Sequence, residues 1–259
     1  MSPPREREAT LAVVSERPGR TAERIAALRE LAGFVLEPLA DRDLRDVYLD
    51  RHDGALRRTG LALRLRRSRD GEAPLLAVKG AGRPAAGGGT ERLEVEGRWG
   101  AEALAAAREA LEETGVPGDL LPSEPGGDDP LDRLRALGWR VVQDRRTRRR
   151  PRRVRSGAGS DAGELVVDEV GFRPGGRRAV HREVEVEAPA GGPLPSGLVE
   201  ALLERFPGEL RRWEHPKLAT GRALERLLSG AGGRRRWLGP GDALWPRAYD
   251  RLEVLLEGG

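Results

Sequence analysis

The sequence of 259 residues contains no cysteine, and this absence removes two classes of site at once. Neither a disulfide framework nor a thiolate metal site can form without cysteine. Histidine is also scarce: His52, His181 and His215 are scattered along the chain and lack the spacing of a zinc metalloprotease motif. The composition therefore argues against a zinc site.

Long apolar runs are missing as well. No stretch approaches the roughly 20 apolar residues that a membrane-spanning helix needs, and the first ten residues, MSPPREREAT, lack the apolar core of a signal peptide. We therefore expect a cytoplasmic protein that has no membrane partner.

Lysine is nearly absent, although the chain is basic, with a net charge of +4 and a pI of about 10.2. Of the 46 basic residues, all but Lys79 and Lys217 are arginine. Such a bias is typical of a GC-rich genome. A lysine that is retained against it indicates a use for the compact ammonium group rather than for charge alone.

The strongest pattern that is present is an alternation of charged and apolar residues. Glu94 and Glu96 flank Val95, and the pair Glu183 and Glu185 repeats the arrangement. Residues two apart in a strand point to the same face, so each such segment has a charged face and an apolar face. Eight strands are predicted on this basis, at about residues 4–14, 45–51, 61–68, 73–80, 91–98, 139–149, 163–172 and 179–188.

Segments with helical periodicity lie between and after these strands, at residues 21–31, 101–113, 130–137, 198–206 and 217–228. The first has Ile25, Leu28 and Leu31 on one face and Gly33 as a predicted stop. Residues 1–229 are predicted to form one domain. The Gly/Arg-rich segment 230–259 is predicted to be an appendage or the stub of a linker.

The balance of elements predicts an α+β fold with an antiparallel sheet and peripheral helices. Strands outnumber helices and turns join most neighbours, and eight strands are about the number that closes into a small barrel. Charged faces that point outward would make an ordinary solvated sheet. Charged faces that point inward would line a tunnel.

Nine short segments carry a resemblance to a known family when they are taken together in this order. They are ERE at 6–8, VYLD at 47–50, GLALRLR at 60–66, VKG at 78–80, ERLEVE at 91–96, RTRR at 146–149, VDE at 167–169, REVE at 182–185 and HPKL at 215–218. The chain resembles the CYTH domain, also called the triphosphate tunnel metalloenzyme superfamily. It is most similar to the CYTH portion of bacterial CYTH–CHAD proteins.

This resemblance implies an α+β fold built on an eight-stranded antiparallel β-barrel with peripheral helices. The barrel would enclose a charged tunnel that binds triphosphate with Mg²⁺ or Mn²⁺, and many members hydrolyse the triphosphate. The implied catalytic residues are Glu6, Glu8 and Lys79. The implied substrate-binding residues are Arg64, Arg66, Lys79, Arg92, Arg146, Arg148 and Lys217. The implied metal ligands are Glu6, Glu8, Glu94, Glu96, Asp168, Glu183 and Glu185.

Elementary electrostatics agree with this implication. A triphosphate carries about four negative charges, and guanidinium groups match phosphate oxygens bidentately. Carboxylates prefer hard cations such as Mg²⁺, which bridge phosphate oxygens in turn. One position departs from the family signature E-x-E-x-K, because Thr10 stands where the signature has lysine. A threonine cannot supply that charge.

The sequence therefore predicts a metal-dependent triphosphatase and leaves two alternatives open. Inorganic triphosphate is the favoured substrate, and nucleoside or thiamine triphosphate is the second choice. The first alternative is a non-catalytic module that binds triphosphate or polyphosphate, as Thr10 suggests. The second is nucleic-acid binding through the arginine-rich run at 145–155, which lacks interleaved aromatic residues. A homodimer is left open, and His181 is interpreted as a structural residue on the valine-facing side of its strand.

Overall fold

The computed structural model describes residues 5–69, 71–85, 89–127, 129–189, 191–230 and 233–258. The strands of this part of the chain are β1 Arg5–Val13, β2 Glu30–Leu31, β3 Phe34–Pro38, β4 Arg42–Arg51, β5 Ala62–Ser68, β6 Leu75–Lys79, β7 Arg83–Pro84, β8 Thr90–Arg98, β9 Trp139–Arg155, β10 Asp161–Phe172, β11 Ala179–Glu187 and β12 Leu210–Arg212. Each of the eight predicted strands is present, and the short strands β2, β3, β7 and β12 are additional.

The strands belong to one sheet whose order closes on itself. Hydrogen-bonded neighbours follow the order β10, β11, β1, β8, β6, β5, β4, β9, and β9 also pairs with β10. The register is antiparallel where it is described, for example between β10 and β11 and between β5 and β6. The predicted fold class, an α+β protein built on an eight-stranded antiparallel barrel, is confirmed.

The helices are α1 Pro18–Ala26, α2 Ala55–Thr59, α3 Ala101–Glu112, α4 Pro130–Ala136, α5 Leu198–Arg205, α6 Lys217–Ser229, α7 Gly233–Trp237 and α8 Pro246–Glu257. Short 3-10 turns lie at Gly118–Leu120, Pro174–Gly176 and Pro240–Asp242. None of the helices in the described ranges is long and apolar enough to span a membrane.

The chain divides into two compact units, each with its own core. The first unit comprises residues 43–83 and 91–145 together with the chain up to Glu6. Its core packs α3 and α4 against the apolar faces of β4, β5 and β6, with Leu63, Leu65 and Leu104 fully buried. The alternating leucines of β5 thus face the helices, and the arginines between them face the other side of the sheet.

The second unit comprises residues 7–42, 84–90 and 146–259. Helices α1 and α5 cover the apolar face of β10 and β11, where Leu165, Val167, Val184 and Val186 are fully buried. The carboxylates of the same strands lie on the opposite face.

The C-terminal segment is packed into the second unit rather than set apart from it. Leu244, Tyr249 and Leu252 share a buried cluster with Phe172 and Leu224. The boundary predicted at residue 230 therefore lies within the second compact unit, and the division into a domain and an appendage stays a prediction. The buried face of α8 consists of Ala248, Tyr249 and Leu252.

The first predicted helix ends earlier than its apolar period suggested. Helix α1 stops at Ala26, and Glu30–Leu31 instead pairs with β3. Ala32 and Gly33 connect the two short strands with φ values of 51° and 79°. Positive φ at both central residues is the geometry of a two-residue hairpin turn, so Gly33 serves this turn and not a helix stop.

Candidate functional site

Three carboxylates meet on the charged face of β10 and β11. Asp168 lies opposite Glu183 in the strand register, and Glu185 lies opposite Val166. Their residues are only 1, 1 and 5% exposed, respectively. We call Asp168, Glu183 and Glu185 the carboxylate cluster. So much buried negative charge requires compensation, because an uncompensated carboxylate pays a large desolvation penalty.

Two cations supply this compensation. The Lys217 ammonium lies 3.2 Å from Asp168 Oδ2 and also pairs with Glu183 and Glu185. The Arg149 guanidinium donates two hydrogen bonds to Asp168, of 2.9 and 3.1 Å, and one of 2.6 Å to Glu185 Oε2. A bidentate arginine and a lysine at the start of α6 thus hold the carboxylate cluster from two directions.

The balance of burial and charge sets the protonation states in this cluster. Burial by itself would raise the pKa of Glu183, but Lys217 and the hydrogen bond from His181 outweigh it and hold that pKa below its ordinary value. Burial would lower the pKa of Lys217, but Glu183, Glu185 and Asp168 raise it instead. Both groups are therefore charged at neutral pH, as a metal and phosphate site requires.

The carboxylate cluster has the composition of a site for a hard divalent cation. One oxygen from each of the three residues lies within 4.8 Å of the others. Oxygen ligands of this kind suit Mg²⁺ and Mn²⁺. Because the Lys217 ammonium lies among the same oxygens, a metal at this position would take over contacts that Lys217 now makes.

A second polar cluster lies in the other unit. The Lys79 ammonium is 2.7 Å from Glu94 and 3.7 Å from Glu6, and Arg92 Nη2 is 2.9 Å from Glu6 Oε2. Arg64 lies 3.4 Å from Glu94. Arg64 also pairs with Glu96. All six residues are among the predicted site residues, and the structure places them in one cluster of ion pairs.

The charges in the second cluster shift its pKa values in opposite directions. Burial would raise the pKa of Glu6, but a hydrogen bond shared with Glu94 and the charges of Lys79 and Arg92 hold it below its ordinary value. Burial and the same shared hydrogen bond raise the pKa of Glu94. Burial and the nearby guanidinium groups of Arg64 and Arg92 lower the pKa of Lys79. The chain's two lysines thus occur one in each cluster.

Asp46 forms a buried ion network with two arginines in the first unit. Arg66 donates to both oxygens of Asp46, at 2.7 and 3.2 Å, and Arg145 approaches to 3.4 Å. Arg145 also donates to Tyr48 Oη at 2.7 Å and lies over the Tyr48 ring. The predicted substrate-binding residue Arg66 is therefore held by a carboxylate that sequence reasoning did not single out.

The Asp46 network predicts an acid-sensitive stability. Burial would raise the pKa of Asp46, but Arg66, Arg64 and Arg145 hold it well below its ordinary value. A carboxyl group whose pKa is lowered by folding binds fewer protons in the folded state than in the unfolded chain. Its stabilisation is complete above the unfolded pKa of about 3.9 and is lost as the pH falls toward the folded pKa. The free energy of unfolding, measured with urea at pH 6, 4 and 3, should fall with pH. In the Asp46→Asn variant it should depend less on pH.

Alternation along β9 divides its arginines between two faces and corrects two predicted positions. Arg148 is 63% exposed and pairs with Asp41, and Arg146 is likewise exposed. Arg149, one residue further on, lies opposite Asp168 and enters the carboxylate cluster. The basic residue that meets the acids is therefore Arg149. Only alternate arginines of the 145–155 run face outward.

The N-terminal signature residues lie along β1. Glu8 is buried and lies opposite Glu187 in the register with β11, and Thr10 lies opposite Glu185. The position that departs from the family signature is thus next to the carboxylate cluster in the sheet. The Lys217 ammonium, which comes from α6, pairs with that same Glu185.

Sequence reasoning placed His181 on the wrong face. His181 and Glu183 are two residues apart and share a face of β11, and His181 Nε2 is 2.8 Å from Glu183 Oε2. A count of strand parity from Glu183 would have found it. Tyr249, which contacts His181 from α8, has no signal of this kind in the sequence.

Comparison with known proteins finds one matching family model and several similar solved structures. A model of the CYTH domain family matches residues 19–203. The chain is similar to the structure of HpAC1 from Hippeastrum, which is described as having a dominant triphosphatase activity. The match covers 85% of this chain and 96% of HpAC1, at 18% identity and a TM-score of 0.56. A match to the PH1819 protein of Pyrococcus horikoshii covers 85% of this chain and 99% of PH1819, at 17% identity and a TM-score of 0.45. No curated protein matches the sequence.

Proposed function

The chain belongs to the CYTH domain family, and from this premise we propose that it hydrolyses inorganic triphosphate with bound Mg²⁺ or Mn²⁺. The carboxylate cluster carries this proposal. Three buried acids that are held ionised by an arginine and a lysine form a site for a divalent cation beside groups that bind phosphate oxygens.

In this proposal Asp168, Glu183 and Glu185 hold the metal. When bound, the metal supplies a Lewis acid that neutralises charge on the transferring phosphoryl group. Lys217, whose ammonium pairs with these carboxylates, would bind phosphate oxygens in their place. Arg149 keeps two hydrogen bonds to Asp168 and so maintains the orientation of that ligand.

The second cluster is assigned to the polyphosphate chain and to further metal ligands. Arg64, Lys79 and Arg92 are paired with carboxylates in the protein. Each is a donor that a phosphate oxygen could engage in place of a carboxylate oxygen. We assign them to substrate binding, and the roles of Glu6, Glu8, Glu94 and Glu96 as metal ligands remain predictions.

A non-catalytic triphosphate-binding module is the second candidate. The observation that favours it is the position of Thr10, which lies beside Glu185 in the sheet and carries no ammonium group. Binding needs the charge of the two clusters, whereas hydrolysis also needs the attacking water to be oriented and activated. The two candidates therefore differ in turnover and agree in affinity for the ligand.

Phosphate release from inorganic triphosphate distinguishes the candidates. We expect purified protein to release phosphate with Mg²⁺ or Mn²⁺ and to stop when EDTA removes the metal. Thermal unfolding is followed in parallel, since a ligand that binds the folded state raises Tm. Stabilisation by metal and triphosphate without turnover would establish the binding module. Absence of both effects would refute the proposed function.

A further inference from the structure

Helix α8 brings a tyrosine hydroxyl into the interior of the second unit. Tyr249 is 1% exposed and belongs to the buried face of α8, together with Ala248 and Leu252. The segment before the helix is fixed to β11, because the Leu244 N–H donates to the Val180 carbonyl oxygen at 3.1 Å. These contacts place Tyr249 beside His181, which follows Val180 in β11.

A chain of hydrogen bonds runs from this hydroxyl to the carboxylate cluster. Tyr249 Oη is 3.1 Å from His181 Nδ1, and His181 Nε2 is 2.8 Å from Glu183 Oε2. An ionised carboxylate only accepts hydrogen bonds, so Nε2 carries the proton and donates to Glu183. In the neutral imidazole Nδ1 then accepts from the Tyr249 hydroxyl. Burial raises the pKa of Tyr249, so this hydroxyl keeps its proton at neutral pH.

Aromatic packing fixes the imidazole ring between the two ends of this chain. The Tyr249 and Trp213 rings lie 5.6 and 6.0 Å from the His181 ring, centroid to centroid, and the two meet edge to face at 5.5 Å. Trp213 Nε1 donates to Thr220 Oγ1 at 3.1 Å and takes no part in the chain to Glu183. The ring is thus held by packing on its faces and by hydrogen bonds at both nitrogens.

We propose that Tyr249 and His181 are positioning residues for Glu183, so that the C-terminal segment 233–258 completes the metal site. His181 binds Oε2, and the carboxylate presents Oε1 toward Lys217. The Lys217 ammonium is the group that pairs with this oxygen in the structure. A fixed Oε2 leaves Oε1 as the oxygen that is presented to a cation. The matched family region covers residues 19–203, so His181 lies within it and Tyr249 lies outside it.

The inference rests on the proposed function, and its test measures metal affinity as well as turnover. Mn²⁺ binding to the full chain is measured by electron paramagnetic resonance for wild type, Tyr249→Phe, His181→Leu and His181→Gln. Loss of an outer hydrogen-bond partner typically weakens metal affinity about 10–100-fold. We expect a loss of about 10-fold for Tyr249→Phe and of about 10–100-fold for His181→Leu. The His181→Gln variant should retain most of the Mn²⁺ affinity, because the glutamine amide can donate a hydrogen bond to Glu183.

Thr220→Val is the matched control. It removes the other buried hydrogen bond of the same cluster, the one that Trp213 donates, and leaves the chain to Glu183 intact. We expect it to lower Tm without changing Mn²⁺ affinity. Wild-type affinity in Tyr249→Phe and His181→Leu, or an equal loss in Thr220→Val, would overturn the positioning role while the proposed function stands. No Mn²⁺ binding by wild type would overturn both.

Discussion

Asp168→Asn is expected to reduce metal-dependent triphosphate hydrolysis at least about 100-fold while the protein remains folded. Even an outer partner of a metal ligand is worth about 10–100-fold in affinity or activity, and Asp168 is proposed as a ligand itself. The amide keeps the shape of the side chain and removes its charge. Arg149 retains Glu185 and Glu187 as partners, so no buried cation is left without a carboxylate.

Glu169→Gln is the matched control for this variant. Glu169 is the next residue of the same strand, and alternation turns it to the opposite face, where it pairs with Arg182 at 2.6 Å and Arg178 at 3.4 Å. The Glu169→Gln substitution removes one negative charge, as Asp168→Asn does, and breaks comparable ion pairs. We expect less than a twofold change in phosphate release. Equal losses in the two variants would show that net charge, and not the carboxylate cluster, governs the activity.

The strands could be predicted from the sequence because burial in this protein follows a period of two. On β10 and β11, helices α1 and α5 cover one face and the carboxylates lie on the other, so the alternation of Val184 and Glu185 reflects these two environments. The four additional strands were missed because they have only two to five residues, too few to define a clear period of two. Gly33 was assigned to a helix stop because sequence alone does not show that Ala32 also adopts positive φ.

The carboxylates of the candidate site could be predicted, but not all of their partners. Strand parity divides the arginines of β9 into two sets, and only the register with β10 shows that Arg149 lies opposite Asp168. His181 was within reach of the parity argument. Tyr249 was not, because its contact with His181 joins residues 68 apart in sequence and depends on how α8 docks. The local sequence pattern therefore predicts which side chains share a face of a strand. Their contacts with other elements depend on tertiary packing.

The largest loss of stability is expected from Asp46→Asn, at about 3–5 kcal/mol, which is the typical cost of removing one partner from a buried ion pair. Arg145 is 1% exposed, and Asp46 is the carboxylate that the structure places beside it. The asparagine leaves that guanidinium and Arg66 without their negative partner inside the protein. For a chain of this length we expect Tm to fall by roughly 10 °C.

Asp43→Asn tests whether this loss comes from burial rather than from the ion pair alone. Asp43 lies on the same strand as Asp46 and pairs with Arg69 at 3.1 Å, but both side chains are largely exposed. Exposed pairs contribute about 0–1 kcal/mol, because water solvates and screens the separated charges. Denaturant unfolding should therefore separate the two variants by several kcal/mol. If both lost the same small amount, Arg145 would have to be stabilised by Tyr48 and Gln143, its other hydrogen-bond partners, and the carboxylate would be dispensable.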